Sequence, residues 1–118
     1  MIAVDTSALL AILQNEAFAE PCKAAIGRES QLVISAGTVA GALIVARLRD
    51  LGPEMVRLID VTGFEVIPVT ADTARRIGAA YARRGKGVDP AGLNFGDCFA
   101  YDVAQHLGCP LRFCRRRR

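Results

Sequence analysis

The sequence has no tryptophan, a single histidine and no Cys-x-x-Cys pair. One histidine does not make a zinc site, and it leaves no legible Ser-His-Asp arrangement. The four cysteines are scattered along the chain, which favours buried thiols in a reducing compartment over a disulfide framework. No apolar run reaches the roughly 18 residues that cross a membrane, and we recognise no signal peptide before the first apolar run. We therefore predict a cytoplasmic protein without a membrane segment.

The sequence also has little net charge once its last four residues are left out. The net charge is +3, but four of the 15 Lys and Arg residues are the run Arg115 to Arg118, and the other 11 are balanced by 12 Asp and Glu residues. The positive net charge is therefore weak evidence for nucleic-acid binding. With 118 residues, of which 52% are hydrophobic and 23% charged, the chain suits one globular α/β domain and not a disordered segment.

Short apolar runs alternate with helical patterns along the chain. Strands are predicted at residues 2–5, 32–35, 64–69 and 111–113, and helices at 6–13, 17–26, 38–49, 53–61, 71–84 and 96–107, with Gly27 ending the second helix. This alternation predicts a parallel sheet covered by helices on both faces. In such sheets ligands bind at the carboxyl ends of the strands, and Asp5 lies at such an end.

Two carboxylates stand at positions where metal chemistry is possible. Asp5 follows a buried strand, and Asp97 opens the last long helix. Taken singly, Asp5 is explained equally well as a helix cap and as a site residue, because Asp is common at helix starts. For Asp97, a cap or a favourable partner of the helix dipole is the better explanation. If the two elements are adjacent, however, the carboxylates form an oxygen-rich patch that suits Mg²⁺ or Mn²⁺. Such a metal activates water and stabilises charge developing on a phosphate.

The remaining polar side chains of the last helix are assigned weaker roles. Asp102 is five residues after Asp97, about 140° around the helix, and is expected to face solvent. His106 is expected at the surface and Cys98 in the core. Four arginines of the preceding helix (Arg75, Arg76, Arg83 and Arg84) predict a solvated basic face, with phosphate contact as the alternative. A receiver-like phosphate acceptor at Asp5 ranks lower, because the expected early acidic pair is missing.

Several stretches, taken together, carry a family resemblance. They are Met1-Ile-Ala-Val-Asp-Thr-Ser-Ala-Leu9, Ile34-Ser-Ala-Gly-Thr38, Gly85-Lys-Gly, Pro90-Ala and, most specifically, Leu93-Asn-Phe-Gly-Asp-Cys-Phe-Ala-Tyr101. In this order they resemble the VapC-type toxins of the PIN-domain family over residues 1–113. The resemblance implies a three-layer α/β/α sandwich with a central parallel sheet. It also implies an endoribonuclease that depends on Mg²⁺ or Mn²⁺, a VapB-type antitoxin as partner, and a homodimer or a toxin–antitoxin hetero-oligomer.

Carried over residue by residue, the resemblance assigns a site with a gap. Asp5 and Asp97 match two of the family's catalytic and metal-binding acids, and Ser7 and Asn94 lie beside them as supporting groups. The family's second acid, a glutamate, falls at Gly41, which cannot bind a metal and costs roughly 1 kcal/mol inside a helix relative to Ala. We therefore expect a weakened ribonuclease. The alternative is an inactive PIN-fold protein that only binds its antitoxin and dimerises.

The end of the sequence is the second departure from the family pattern. The family continues past the last strand into a stretch that brings another acid, whereas residues 114–118 of this chain are a cysteine and four arginines. We predict that residues 1–113 form the domain, with an altered last strand region, and that residues 114–118 are an atypical basic tail. Codons for Gly-Asp-Asp such as GGC GAC GAC, preceded by C and shifted by one base, read CGG CGA CGA, which encodes Arg-Arg-Arg. We therefore hypothesise that a frameshift destroyed the family's acidic tail.

Overall fold

The computed structural model describes residues 1–16, 19–84 and 93–112, with the side chain of residue 84 not described. Strands and helices alternate along these residues. The strands are β1 (Ile2–Val4), β2 (Leu32–Ser35), β3 (Glu65–Ile67) and β4 (Leu111–Arg112). The helices are α1 (Thr6–Leu13), α2 (Glu20–Arg28), α3 (Ala36–Leu48), α4 (Gly52–Thr62), α5 (Ala71–Arg84) and α6 (Phe95–Leu107). The predicted alternation of elements is confirmed, although the predicted ends at residues 17 and 113 lie outside the described residues.

The four strands form one parallel sheet in the order β3-β2-β1-β4. Ala3 is in register with Val33 of β2 and with Leu111 of β4, so β1 is central. The amide of Asp5 continues the ladder by donating to the carbonyl of Arg112 at 3.0 Å. Since the chain order reverses on either side of β1, the carboxyl end of this strand lies at a topological switch point, where ligands bind in open α/β sheets.

Side chains alternate between the two faces of the sheet and divide the core in two. Val4 and Ile34 pack with buried residues of α1 to α4. Ala3 and Val33 point to the opposite face and pack with Val103 of α6. Helix α5 lies against α6 as the outermost element of that layer. The predicted three-layer α/β/α sandwich is therefore confirmed.

Local signals explain where the helices begin and end. Helix α3 is capped by the Ser35 hydroxyl, which accepts from the amide of Gly37 at 3.1 Å. Helix α5 starts where predicted, because the Thr70 hydroxyl accepts from the amide of Thr73 at 3.2 Å. Helix α6 ends at Gly108, whose φ of 63° is in the left-handed region that glycine tolerates best. No helix of the described residues is long and apolar enough to cross a membrane.

The prediction for α2 was wrong at its end. Gly27 lies inside the helix, which continues to Arg28, and the capping residue is Glu29. Gly27 has no positive φ, and its helical position is exposed. A glycine signals a helix end only when the chain needs the left-handed conformation there, and here the next residues can still form the helical turn.

Candidate active site

Asp5 joins the central strand to the first helix and is 5% exposed. Its carboxylate accepts from the Ser7 hydroxyl at 3.0 Å and from the Ser7 amide at 3.4 Å, so it caps α1. Burial raises the pKa of Asp5 above its ordinary value of 3.8; the Ser7 hydrogen bonds oppose this shift, and the charge of Asp97 adds to it. The raised pKa of Asp5 thus reflects a carboxylate that is buried and that lies near the carboxylate of Asp97.

Asp97 is held at the start of α6 by a reciprocal capping box. The Asn94 side chain accepts from the amide of Asp97 at 2.8 Å, and the Asp97 carboxylate accepts from the amide of Asn94 at 3.2 Å. Asn94 is therefore the cap of α6, and Asp97 is the residue three positions further on. The box fixes the position of the carboxylate and leaves it half-buried.

The two carboxylates line one cleft of about 370 Å³ at the carboxyl end of β1. The cleft is also lined by Thr6, Ser7, Leu10, Gly41, Val45, Asn94 and Gly96. The sheet order places the end of β1 against α6, and this brings residues 92 positions apart in sequence to the same cavity. The cap interpretation is correct for Asp5, whereas Asp97 is the N3 partner of the Asn94 cap. Both carboxylates nevertheless line the same cleft. The arrangement can present two carboxylates to a cation or to a water molecule.

Gly41 faces this cleft from α3. A Cβ atom built on Gly41 would meet only the Thr6 hydroxyl, at 3.7 Å, which is ordinary van der Waals contact. Space therefore exists for a side chain at this position, but glycine contributes no ligand. Among residues 1–16, 19–84 and 93–112, no three His, Cys, Asp or Glu side chains are grouped so that they could hold a metal ion. The described cleft is thus a two-carboxylate site with a gap at residue 41.

The expectation that Asp102 faces solvent was wrong. Asp102 is 6% exposed, and it accepts from Arg76 Nε at 2.8 Å and from Arg76 Nη2 at 3.0 Å. Its hydrogen bond is the main reason that the pKa of Arg76 is raised. Asp102 does lie on a different side of α6 from Asp97, as its position in the sequence predicts. The side that carries Asp102, however, is covered by α5 and not by solvent. Arg76 is therefore an ion-pair partner rather than part of a freely solvated basic face.

The other side chains of α6 lie where the sequence predicts. Cys98 is fully buried, its thiol donates to the carbonyl of Asn94 at 3.2 Å, and burial followed by the charge of Asp97 raises its thiol pKa. A thiol kept protonated in this way is a packing group and not a nucleophile. His106 is exposed, as expected.

Sequence reasoning missed two contacts made by the first turn of α3. Thr6 lines the cleft and donates from its hydroxyl to the carbonyl of Thr38 at 3.4 Å, which ties α1 to the first turn of α3. Gly37 lies under the Phe99 ring, where a Cβ atom would approach to 2.3 Å. Only the Gly-Thr pair after β2 offered a signal for these contacts, because a glycine in the first turn of a helix can mark a close approach.

Comparisons with known proteins give the family of this chain. The PIN domain family model matches residues 2–111. The chain is 39% identical over 113 residues to the VapC ribonuclease Mb0640 of Mycobacterium bovis, covering 93% of this chain and 86% of the relative. It is 37% identical over 113 residues to Ribonuclease VapC of Mycolicibacterium smegmatis, covering 93% and 88%.

Solved structures show the same fold. The chain matches VapC20 of Mycobacterium tuberculosis, described as a toxin that cleaves the sarcin-ricin loop, with a TM-score of 0.73 at 20% identity, covering 92% of this chain and 85% of that one. It matches a chain of a toxin–antitoxin complex from Klebsiella pneumoniae with a TM-score of 0.68 at 22% identity, covering 94% and 83%. The family-model match and the two relatives at 39% and 37% identity, together with the shared fold, show that this chain belongs to the PIN-domain family as a member of its VapC type.

Proposed function

We propose that this protein is the toxin of a type II toxin–antitoxin system and cleaves RNA phosphodiester bonds with Mg²⁺ or Mn²⁺ held by Asp5 and Asp97. The observation that carries the proposal is the cleft in which these two carboxylates lie together at the switch point of the sheet. The relatives named as ribonucleases, which match across most of the chain, support the reaction class.

The two carboxylates fit a divalent cation, although they supply few protein ligands. Mg²⁺ commonly takes one or two protein carboxylates and completes its shell with water and substrate phosphate. Burial is the main reason that the pKa of Asp5 is raised, and the charge of Asp97 adds to the shift; a cation would neutralise this repulsion between the two carboxylates. When bound, the metal would supply Lewis-acid chemistry to water and to a phosphate oxygen. With Gly41 in place of a third acid, we expect weaker metal binding and slower cleavage.

The protein's own groups prepare this site by fixing the carboxylates. The Ser7 hydroxyl donates to Asp5, which orients the carboxylate and opposes the rise in its pKa that burial causes. The amide of Asn94 holds the Asp97 carboxylate, so neither acid must be ordered when the substrate arrives. In this proposal Ser7 and Asn94 act through the acids and do not touch the RNA.

The test is cleavage of RNA by the purified chain in Mn²⁺, with an Asp5→Ala variant prepared in parallel. Cleavage that requires the metal and is lost in Asp5→Ala supports the proposal. Thermal unfolding with and without Mn²⁺ gives a second readout, since a ligand that binds only the folded protein raises the midpoint. Absence of cleavage, equal cleavage by both proteins, or a nuclease activity insensitive to EDTA would refute it.

A second candidate function is that of a PIN-fold protein that binds its antitoxin and dimerises without cutting RNA. Besides Gly41, an apolar surface on α3 and α4 favours it. Ile44 and Leu48 are 62% and 81% exposed, and Val56 of α4 borders a neighbouring cleft of about 590 Å³. Exposed aliphatic side chains four residues apart on one helix suit an amphipathic partner segment. Structural neighbours include VapBC2 from Rickettsia felis, solved bound to promoter DNA, which matches with a TM-score of 0.67 at 14% identity.

This second function is tested by co-expression with a VapB-type antitoxin. Co-purification of the two proteins should survive Asp5→Ala and should be lost in a Leu48→Glu variant. A chain that binds the antitoxin but shows neither cleavage nor stabilisation by Mn²⁺ would be the non-cutting form. Retained capture by Leu48→Glu would exclude the α3–α4 surface as the binding site.

A further inference from the structure

A second cleft of about 370 Å³ lies between α5 and α6, outside the candidate active site. Six side chains that carry charge, an aromatic ring or hydrogen-bonding groups line it: Arg76, Arg83, Tyr101, Asp102, Gln105 and His106. Two small side chains, Ala79 and Ala80, complete the lining. We propose that this cleft binds a nucleotide of a single RNA strand adjacent to the one at the candidate active site. The inference rests on the proposed action on RNA.

The first argument is position. Tyr101 lies four residues after Asp97 on α6, and therefore about 6 Å further along the same side of the helix. Gln105 follows one turn later on that side. Asp97 lines the first cleft, while Tyr101 and Gln105 line the second. A strand whose phosphate lies at Asp97 can thus continue along α6 into the second cleft.

The second argument is the chemistry of the walls. RNA strands are held without sequence preference by cations that track the backbone and by aromatic rings on which bases stack. Arg83 is exposed, and Tyr101 is half-buried, and both line the cleft. Gln105 and His106 are exposed and can offer hydrogen bonds to a base or a ribose. The cleft volume is within the range of small-molecule sites.

The third argument is preorganisation. Arg76, which lines the cleft, is fixed by its two hydrogen bonds to Asp102 and by a third, 3.5 Å long, to the Thr73 hydroxyl. These contacts join the two walls of the cleft, so its shape exists before any ligand binds. The Asp102 carboxylate offsets the charge of Arg76, and this leaves Arg83 as the charge that attracts a phosphate.

The experiment measures binding separately from cleavage. A fluorescein-labelled single-stranded RNA of mixed sequence is titrated with the full chain in EDTA, and the anisotropy is followed. Tyr101→Leu removes the stacking ring but keeps an apolar side chain, and should weaken binding about 5- to 100-fold. Tyr101→Phe keeps the ring and should bind within about twofold of the unmodified chain. Arg83→Ala should weaken binding several-fold and make it less dependent on salt.

The matched control for Arg83 is Arg75→Ala. Arg75 is on the same helix and carries the same charge, but it is outside the cleft and pairs with Asp72. Equal binding by the Arg83 and Arg75 variants, or full binding by Tyr101→Leu, would overturn the inference. The same holds if these substitutions impair capture of a protein partner but leave RNA binding intact. Thermal unfolding of each variant verifies that it is folded.

The outcomes also separate this inference from the proposed function. If the chain fails to cleave RNA in Mn²⁺ but binds it in EDTA, and Tyr101→Leu and Arg83→Ala reduce that binding, the cleft inference stands without the nuclease. If the chain cleaves RNA while both variants bind and cleave like the unmodified protein, only the cleft inference fails. An unmodified chain with no affinity for RNA in EDTA would overturn it as well.

Discussion

Arg76 and Asp102 form a two-point ion pair that joins α5 to α6, with Nε–Oδ1 and Nη2–Oδ2 distances of 2.8 and 3.0 Å. Asp102 is nearly inaccessible, whereas Arg76 keeps about a third of its side chain in solvent. The pair is therefore asymmetric. Loss of the arginine leaves a buried carboxylate without its ion-pair partner, whereas loss of the carboxylate leaves a guanidinium that can still reach water.

Removal of Arg76 should consequently destabilise the protein more than removal of both partners. We expect Arg76→Ala to lower the unfolding midpoint by roughly 5 °C or more, and the double variant Arg76→Ala with Asp102→Ala to recover part of that loss. Thermal unfolding followed by circular dichroism measures both. Arg75→Ala is the control, because its exposed pair with Asp72 should contribute little. Simple addition of the two single losses would contradict this account.

The second prediction concerns the cost of burying Asp5. Because burial raises its pKa, the folded protein holds the Asp5 proton more tightly than the unfolded chain does, and the ionised form opposes folding. Asp5→Asn keeps a favourable helix cap and removes this charge. We expect the variant to unfold at a higher temperature than the unmodified chain at pH 7 in EDTA. Its advantage should shrink as the pH falls through the raised pKa and should vanish below 3.8, where both states carry the proton.

Mn²⁺ should reverse that order. The ion would stabilise the protein with an intact Asp5 and leave Asp5→Asn almost unchanged, since the amide is a poorer ligand. Unfolding scans across pH 4 to 8, with EDTA or Mn²⁺, provide the measurement. An Asp5→Asn variant that is less stable at pH 7 in EDTA would show that the carboxylate stabilises the apo fold instead.

The elements were more predictable than the contacts between them. Strand β2 and helix α5 have the predicted bounds, because an apolar run between polar residues and a capping threonine are local signals. The position of Asp102 was not predictable from its angle on α6. That helix is covered by the sheet, by α3 and by α5. A residue on a different side of α6 from Asp97 is therefore not necessarily exposed to solvent. The partner of Asp102 is 26 residues away on another helix, and no local pattern encodes that distance.

The candidate site was predictable in its residues but not in its geometry. Local sequence placed Asp5 after a strand and Asp97 at a helix start, and at both positions Asp is common without any metal, as a helix cap or in the first turn. Their common cleft depends on β1 lying between β2 and β4, a property of the whole sheet. The family resemblance predicted that Asp5 and Asp97 belong to one site, and the sheet order explains why they line the same cleft. The metal and its action on RNA stay predictions.

The third prediction tests the close approach of α3 and α6. A methyl group at Gly37 would overlap the Phe99 ring, which must move because the Cβ atom would lie 2.3 Å from it. Phe99 also packs edge-on against Phe95, with ring centroids 5.1 Å apart, so movement of one ring disturbs the other. We expect Gly37→Ala to destabilise the fold by about 1–3 kcal/mol in urea unfolding.

The matched control is Gly78→Ala. Gly78 is exposed on α5, and a Cβ atom there meets nothing within 4 Å. This substitution should stabilise the protein by about 0.5–1 kcal/mol through helix propensity alone. Opposite signs for the two glycines would show that Gly37 is required for packing. A stabilising Gly37→Ala would place Phe99 elsewhere in solution.

The fourth prediction restores the missing acid. Gly41 faces the cleft that holds Asp5 and Asp97, and a Cβ atom at this position has room. Gly41→Glu should therefore raise the affinity for Mn²⁺ on the order of tenfold or more and increase metal-dependent cleavage of RNA. Isothermal titration with Mn²⁺ measures the first effect without relying on activity.

Gly41→Gln separates charge from helix propensity, because Gln has nearly the shape of Glu and a similar helix propensity. In EDTA the Glu variant should be the less stable of the two, since a third carboxylate adds repulsion to a cleft that already raises the pKa of Asp5. In Mn²⁺ the order should reverse, because only Glu adds a ligand and a charge to the site. If Gln and Glu respond equally to Mn²⁺, residue 41 does not belong to the metal site, and its glycine does not account for a weakened enzyme.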